Sequence, residues 1–265
     1  MHSLRKIVLL VIAVSLSSGC SGTSTGNGLG TSTGNGVTSV SMTMQRSDAL
    51  SGSESIFVQD EFGESFEFTG ARVGVRDIDF YLAEDVNCAE SQFELEGPVV
   101  CDGDKIRIEG PFVVDLLSGE SNPPLDGLTV PPGTYRRVDV RFDDVKSDWE
   151  LVSDDDPLLG NSFLLEGRVG SSDADYRVSI DVNIEARYRN DSGQALPADS
   201  PASVFLNLDP SQWFAALPLS QCIEDGEFEL LEDIILIQDS GSNCQEVENA
   251  LKSAIRDSGS LRISP

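Results

Sequence analysis

Histidine is almost missing from this chain: the only one is His2, in a segment read below as a removable leader. Without an imidazole, no Ser-His-Asp or Cys-His relay can be assembled, nor a His-ligated zinc or iron site. Basic residues are scarce too. Lys and Arg total 18, against 45 Asp and Glu, for a net charge of −27. A surface of that sign repels nucleic acid and anionic lipid. It fits a saline habitat, where screening removes self-repulsion, and equally a merely soluble acidic surface. The five cysteines include no C-x₂-C pair, so a Cys₄ zinc site lacks its usual ligand spacing. The one marked apolar run, residues 7–16 (IVLLVIAVSL), would rise only about 15 Å as a helix, half of a ~30 Å hydrocarbon core.

What is present at the N-terminus is an address. Arg5 and Lys6 precede the apolar run, and Ser17, Ser18 and Gly19 lead into Cys20. A positive start, a short apolar segment and small residues at the end describe a signal peptide over 1–19. An ordinary cleavage site would leave Cys20 incidental. However, Leu16-Ser17-Ser18-Gly19-Cys20 resembles the lipobox of bacterial lipoproteins, with Ser17 standing where a branched apolar residue is usual. That resemblance implies lipid on Cys20 and attachment to a membrane in the cell envelope. Ser21 in place of Asp implies the outer membrane. Multiple acyl chains on one cysteine hold stably where a single chain holds only marginally. Residues 20–36 follow as a tether: TSTGNG occurs at 23–28 and again at 31–36, and so polar a stretch cannot offset the entropy of ordering.

Period-two alternation then predicts strands over 37–190. Val40, Met42 and Met44 alternate with Ser and Thr. Further strands are predicted around Phe66–Tyr81, Ile106–Val114, Tyr135–Phe142 and Phe163–Val169, and residues 176–188 (YRVSIDVNIEARY) read as one uninterrupted strand. Turn-rich stretches at Gly103, Asn122-Pro123-Pro124, Pro131-Pro132-Gly133 and Gly170-Ser171-Ser172 separate them. The pattern predicts a mainly β protein, an antiparallel β-sandwich, with the acidic loop 148–157 at one end. Residues 191–265 form a C-terminal strand–helix appendix packed on the sandwich. Asp209-Pro210 starts a short helical turn, 229–237 (ELLEDIILI) is one buried strand, and a helix from Asn243 buries Val247, Ala250, Leu251 and Ile255. Cys88, Cys101, Cys222 and Cys244 are an even set suited to an oxidising compartment, and 88–101 with 222–244 are the favoured pairs.

The stretch Phe112-Val113-Val114-Asp115-Leu116-Leu117, then Val130-Pro131-Pro132-Gly133-Thr134-Tyr135, is similar to a pattern in bacterial lipoproteins that carry a domain of unknown function, DUF4382. Val75 to Tyr81 resembles a further strand of that domain, and the likeness covers roughly residues 40–185. It implies a transthyretin-like or carbohydrate-binding-like sandwich and brings no catalytic residues with it.

The chemistry left open is that of carboxylates and aromatics. A glycosidase needs two carboxylates about 5 to 9 Å apart, and sequence cannot choose two among so many. Calcium would use hard oxygen ligands such as Asp102 and Asp104, Asp154, Asp155 and Asp156, or Asp173 and Asp175, although none fits an EF-hand loop. A turn at 102–104 and a solvated loop at 154–156 are the plainer readings. Trp149, beside the acidic loop, is the candidate sugar platform. Trp213, beside Phe214, reads as core, and Tyr135 and Tyr176 as packing. The expectation is a non-enzymatic binding or structural module of the cell envelope, with no cofactor unless Ca²⁺, no nucleic-acid partner, and a glycan or envelope protein as partner. A carboxylate-based glycan hydrolase and a calcium-stabilised adhesion module are the alternatives.

Overall fold

The computed structural model describes residues 38–44, 56–84, 86–90, 95–181, 183–196, 202–241 and 244–264. The leader, Cys20 and the tether lie outside the described residues, as do Val182 and Asn243. In chain order the elements are β1 (Thr38–Met44), β2 (Ile56–Gln59), β3 (Ser65–Leu82), β4 (Val99–Asp102), β5 (Lys105–Asp115), β6 (Ser121–Asn122), β7 (Gly133–Phe142), β8 (Phe163–Val169), β9 (Asp175–Ile180), β10 (Ile184–Leu196), β11 (Ala202–Leu208), α1 (Leu219–Glu224), β12 (Glu229–Leu231), β13 (Ile234–Ile237), α2 (Val247–Asp257) and β14 (Gly259–Ser264). The protein is mainly β, as the alternation predicts. Strands β1, β11 and β14 form one sheet, and the other eleven belong to a second hydrogen-bonded network.

Strand β3 is the spine of that network. Its buried apolar side chains run Phe66, Phe68, then Ala71, Val73, Val75, then Ile78, Phe80, Leu82, so the inward parity changes twice. Each change coincides with a bulge: one between Phe68 and Gly70 against β8, one between Val75 and Asp77 against β5 and β7. A bulge adds one residue to one strand, which bends it while returning its apolar face to the core. The first half of β3 pairs with β2 and β8, the second with β5 and β7.

On the side of β3 away from β5, the neighbouring strands are broken at one level. Strand β7 ends with Phe142 opposite Val75, and β8 begins with Phe163 opposite Val73. One strand further out, Ile180 ends β9 opposite Phe163, and Ile184 begins β10 opposite Phe142. The single strand expected over 176–188 is therefore two: β9 joins β8 and β10 joins β7, with the step at 181–183. Gly74 sits at this seam. Its N–H donates to the Ser162 carbonyl and its own carbonyl accepts from the Asp143 N–H, at 2.8 and 3.2 Å. A Cβ there would run into the Asp143 carbonyl and Val145.

Two pairings depart from the antiparallel expectation, because β1 runs parallel to β11 and β13 parallel to β9. The single strand expected at 229–237 is a hairpin. Glu232 and Asp233 both take positive φ, 50° and 71°, the backbone of a two-residue turn, and Leu230 and Leu231 are exposed on its outer strand. Helix α2 starts at Val247 and buries Val247, Leu251 and Ile255. Asp209 caps a short 3₁₀ turn with Pro210 at its first position, as expected. One contiguous core unites the sheets, running from Val40 and Met42 through Ile78 and Phe80 to Leu206 and Leu251.

Candidate functional site

Both favoured disulfides are formed, Cys88–Cys101 and Cys222–Cys244. Among the described residues, one cluster has three potential metal ligands, Cys222, Glu227 and Cys244, and its two sulfurs are bonded to each other. Asp102, Gly103 and Asp104 make the β4–β5 turn, with Gly103 at φ 68°. Asp102 faces Lys105 at 3.3 Å, and Asp104 accepts from Arg136 at 2.7 Å. That ion pair crosses an open depression of 450 Å³, lined also by Glu84, Asn87 and Glu90.

The acidic loop does not hang from an end of the sandwich. It leaves and returns at the β3 seam and folds over the outer side, where Val145 and Leu158 pack on Val113 and Leu164. Trp149, partly buried, packs against this small cluster, with Lys146 Nζ 6.0 Å from its ring centre. Asp156 receives both Arg72 nitrogens, at 2.8 and 2.9 Å, as well as the Leu158 N–H. The Arg72 guanidinium holds its carboxyl below the usual range. The three consecutive aspartates therefore do not converge on one point: Asp156 is turned to Arg72, while Asp154 and Asp155 are exposed. Asp173 lies in a turn at φ 54°, facing Arg168 at 3.3 Å. Trp213 is buried in an aromatic group with Phe68 and Phe214. Tyr135 is buried and donates to the Pro131 carbonyl at 2.6 Å, so the Pro-Pro-Gly-x-Tyr stretch closes on itself where β7 starts.

A different group has the most unusual chemistry. On the sheet formed by β5, the second half of β3, β7 and β10, the positions facing away from the core are charged in register. Asp79 lies opposite Arg107 on one side and Asp139 on the other, and Asp139 lies opposite Arg187. One row along, Glu109, Asp77, Arg141 and Glu185 follow, and on the other side Lys105, Tyr81, Arg137 and Arg189. The long basic side chains close over the short acids, so Asp77, Asp79 and Asp139 are all buried despite facing outward. Asp79 receives Lys105 at 2.8 Å and Arg107 at 2.7 and 3.0 Å. Burial pushes its carboxyl up, and these bonds outweigh burial and hold it below the usual range. Asp77 receives Arg141 at 3.1 Å. The Arg137 guanidinium stacks on Tyr81, 3.7 Å from the ring centre.

Asp139 is the exception in this grid. Arg137 Nε lies 2.9 Å from it and Arg187 Nε 3.9 Å, yet neither of its oxygens receives a well-directed N–H. Burial, with a hydrogen bond to Glu185, raises its pKa to about 6. That bond exists only while one of the two carboxyls carries a proton. The sequence carries a trace of the grid in its alternating runs Asp77-x-Asp79-x-Tyr81, Arg137-x-Asp139-x-Arg141 and Glu185-x-Arg187-x-Arg189, which mark outward positions. The spacing within each run does not say which run lies beside which. No family model matches the chain, and no curated protein or solved structure matches it either.

Proposed function

We propose that this chain is an exported, lipid-anchored module of the cell envelope, held through Cys20 at the outer membrane, that binds an envelope glycan without transforming it. The observation that carries the reading is the outward charge grid on β5, β3, β7 and β10. The guanidiniums, with the uncovered carboxylates of Glu109 and Glu185, offer donors and acceptors to vicinal hydroxyls, and the buried aspartates and Tyr81 beneath already fix the guanidiniums in place. A prearranged polar surface loses little side-chain entropy on binding. The DUF4382-like stretches in the sequence imply a transthyretin-like or carbohydrate-binding-like sandwich, a fold compatible with the same reading.

The test is cosedimentation of the detergent-extracted full chain with purified peptidoglycan sacculi. The exposed pair Arg187→Ala and Arg189→Ala, made together, is expected to weaken retention about tenfold, matching the loss of one or two charged hydrogen bonds. Retention equal to wild type, or no retention of either protein, overturns the glycan reading.

A further inference from the structure

We propose that Asp139 and Glu185 form a proton-operated clasp between β7 and β10. One shared proton draws the two carboxyls together, and its release to solvent drives Glu185 away. The inference is independent of what the outer face binds.

The geometry carries it. Asp139 on β7 and Glu185 on β10 are diagonal neighbours across an antiparallel pair, both facing away from the core. Asp139 is only 3% exposed, while Glu185 is half-buried and has room to swing out. A buried carboxylate without well-formed hydrogen bonds is costly, and the neutral acid donating to Glu185 avoids that cost. The surrounding groups do not supply the missing donor. From β3, Asp77 and Asp79 are turned to Arg141, and to Lys105 and Arg107 of β5, while Tyr81 lies under Arg137. From β7, Arg137 reaches Asp139 off its N–H axis. From β10, Arg187 lies 3.3 Å from Glu185 and 3.9 Å from Asp139, and exposed Arg189 stands opposite Arg137. These cations also disfavour a metal ion between the two carboxyls. Among the described residues, strand β10 ends its sheet and pairs only with β7 in that sheet, so the clasp acts where one strand alone holds it.

The direction of the pH effect follows from the two carboxyls. Asp139 rises from 3.8 to about 6, so the folded state keeps a proton that the unfolded chain loses, and stability falls as pH climbs through that interval. Glu185 is held below its ordinary 4.5 by the hydrogen bond from Asp139 and works the other way only below that value. The net loss lies between pH 4.5 and about 6.

The experiment is thermal unfolding of the full chain at pH 4.5 and pH 7, in wild type, Asp139→Asn and Glu185→Gln. Asn at 139 and Gln at 185 each provide a permanent N–H donor across the pair. Wild type is expected to lose roughly 3 to 6 °C more than either variant over this interval. If Asp139→Asn fails to fold, Glu185→Gln and carboxyl-carbon NMR of wild-type Asp139 decide. Equal pH profiles in wild type and Glu185→Gln, or a midpoint for Asp139 near the ordinary carboxylate value, overturn the proposal.

Discussion

Asp60 shows how much of the molecule one side chain can join. It is buried in the turn between β2 and β3, where its carboxylate accepts from Phe62 N at 3.0 Å and Glu64 N at 2.9 Å. Its other oxygen takes Ser220 N at 2.8 Å, in the first turn of α1, so the helix is capped from a remote turn. Asp60→Ala leaves three N–H groups without this acceptor and should cost about 2–3 kcal/mol in denaturant unfolding. Asp60→Asn keeps one acceptor oxygen and should recover part of that loss, whereas equal stability of all three proteins would refute the capping role. Nothing in the sequence marks Asp60, because the donors it serves are set by tertiary contact. Asp209, whose partner is two residues away, is readable by inspection.

At the level of elements, alternation locates strands well and their limits poorly. Residues 176–188 keep perfect period two across a break, since β9 and β10 bury the same face on either side of it. Residues 229–237 hide a hairpin because Glu232 and Asp233 do not resemble the Asn-Gly turns that announce one. In β3 the strand around Phe66–Tyr81 was located from its apolar residues, whereas its two bulges were not. The two parallel pairings were not legible, since their partners lie far apart along the chain. The seam gives the sharpest test of this reading. Gly74→Ala must displace the Asp143 carbonyl or the strand itself, and should destabilise by about 2–3 kcal/mol through overpacking. Gly103→Ala faces open space and carries only the smaller strain of its positive φ, so a loss as large as at Gly74 would contradict the seam account.

For the whole molecule, the acidity is organised by its few cations. Asp102, Asp104 and Asp156, once candidates for calcium, each face a Lys or Arg within 3.3 Å. Calcium would have to displace those cations, so 5 mM Ca²⁺ and chelator at equal ionic strength should leave the melting temperature unchanged. A rise of several degrees with calcium would overturn that account. The topology also has a consequence for the order of events in making this protein. Strand β1 comes first in the chain, yet its partners are β11 and, beyond that, β14 at the far end. A chain that emerges N-terminus first keeps β1 waiting until residues 202–208 arrive, after every strand that touches the β3 spine. Closure of so distant a pair is slow relative to local pairing. The strands around β3 can therefore assemble while β1 is still unpaired, which makes the first strand a late stitch in the fold.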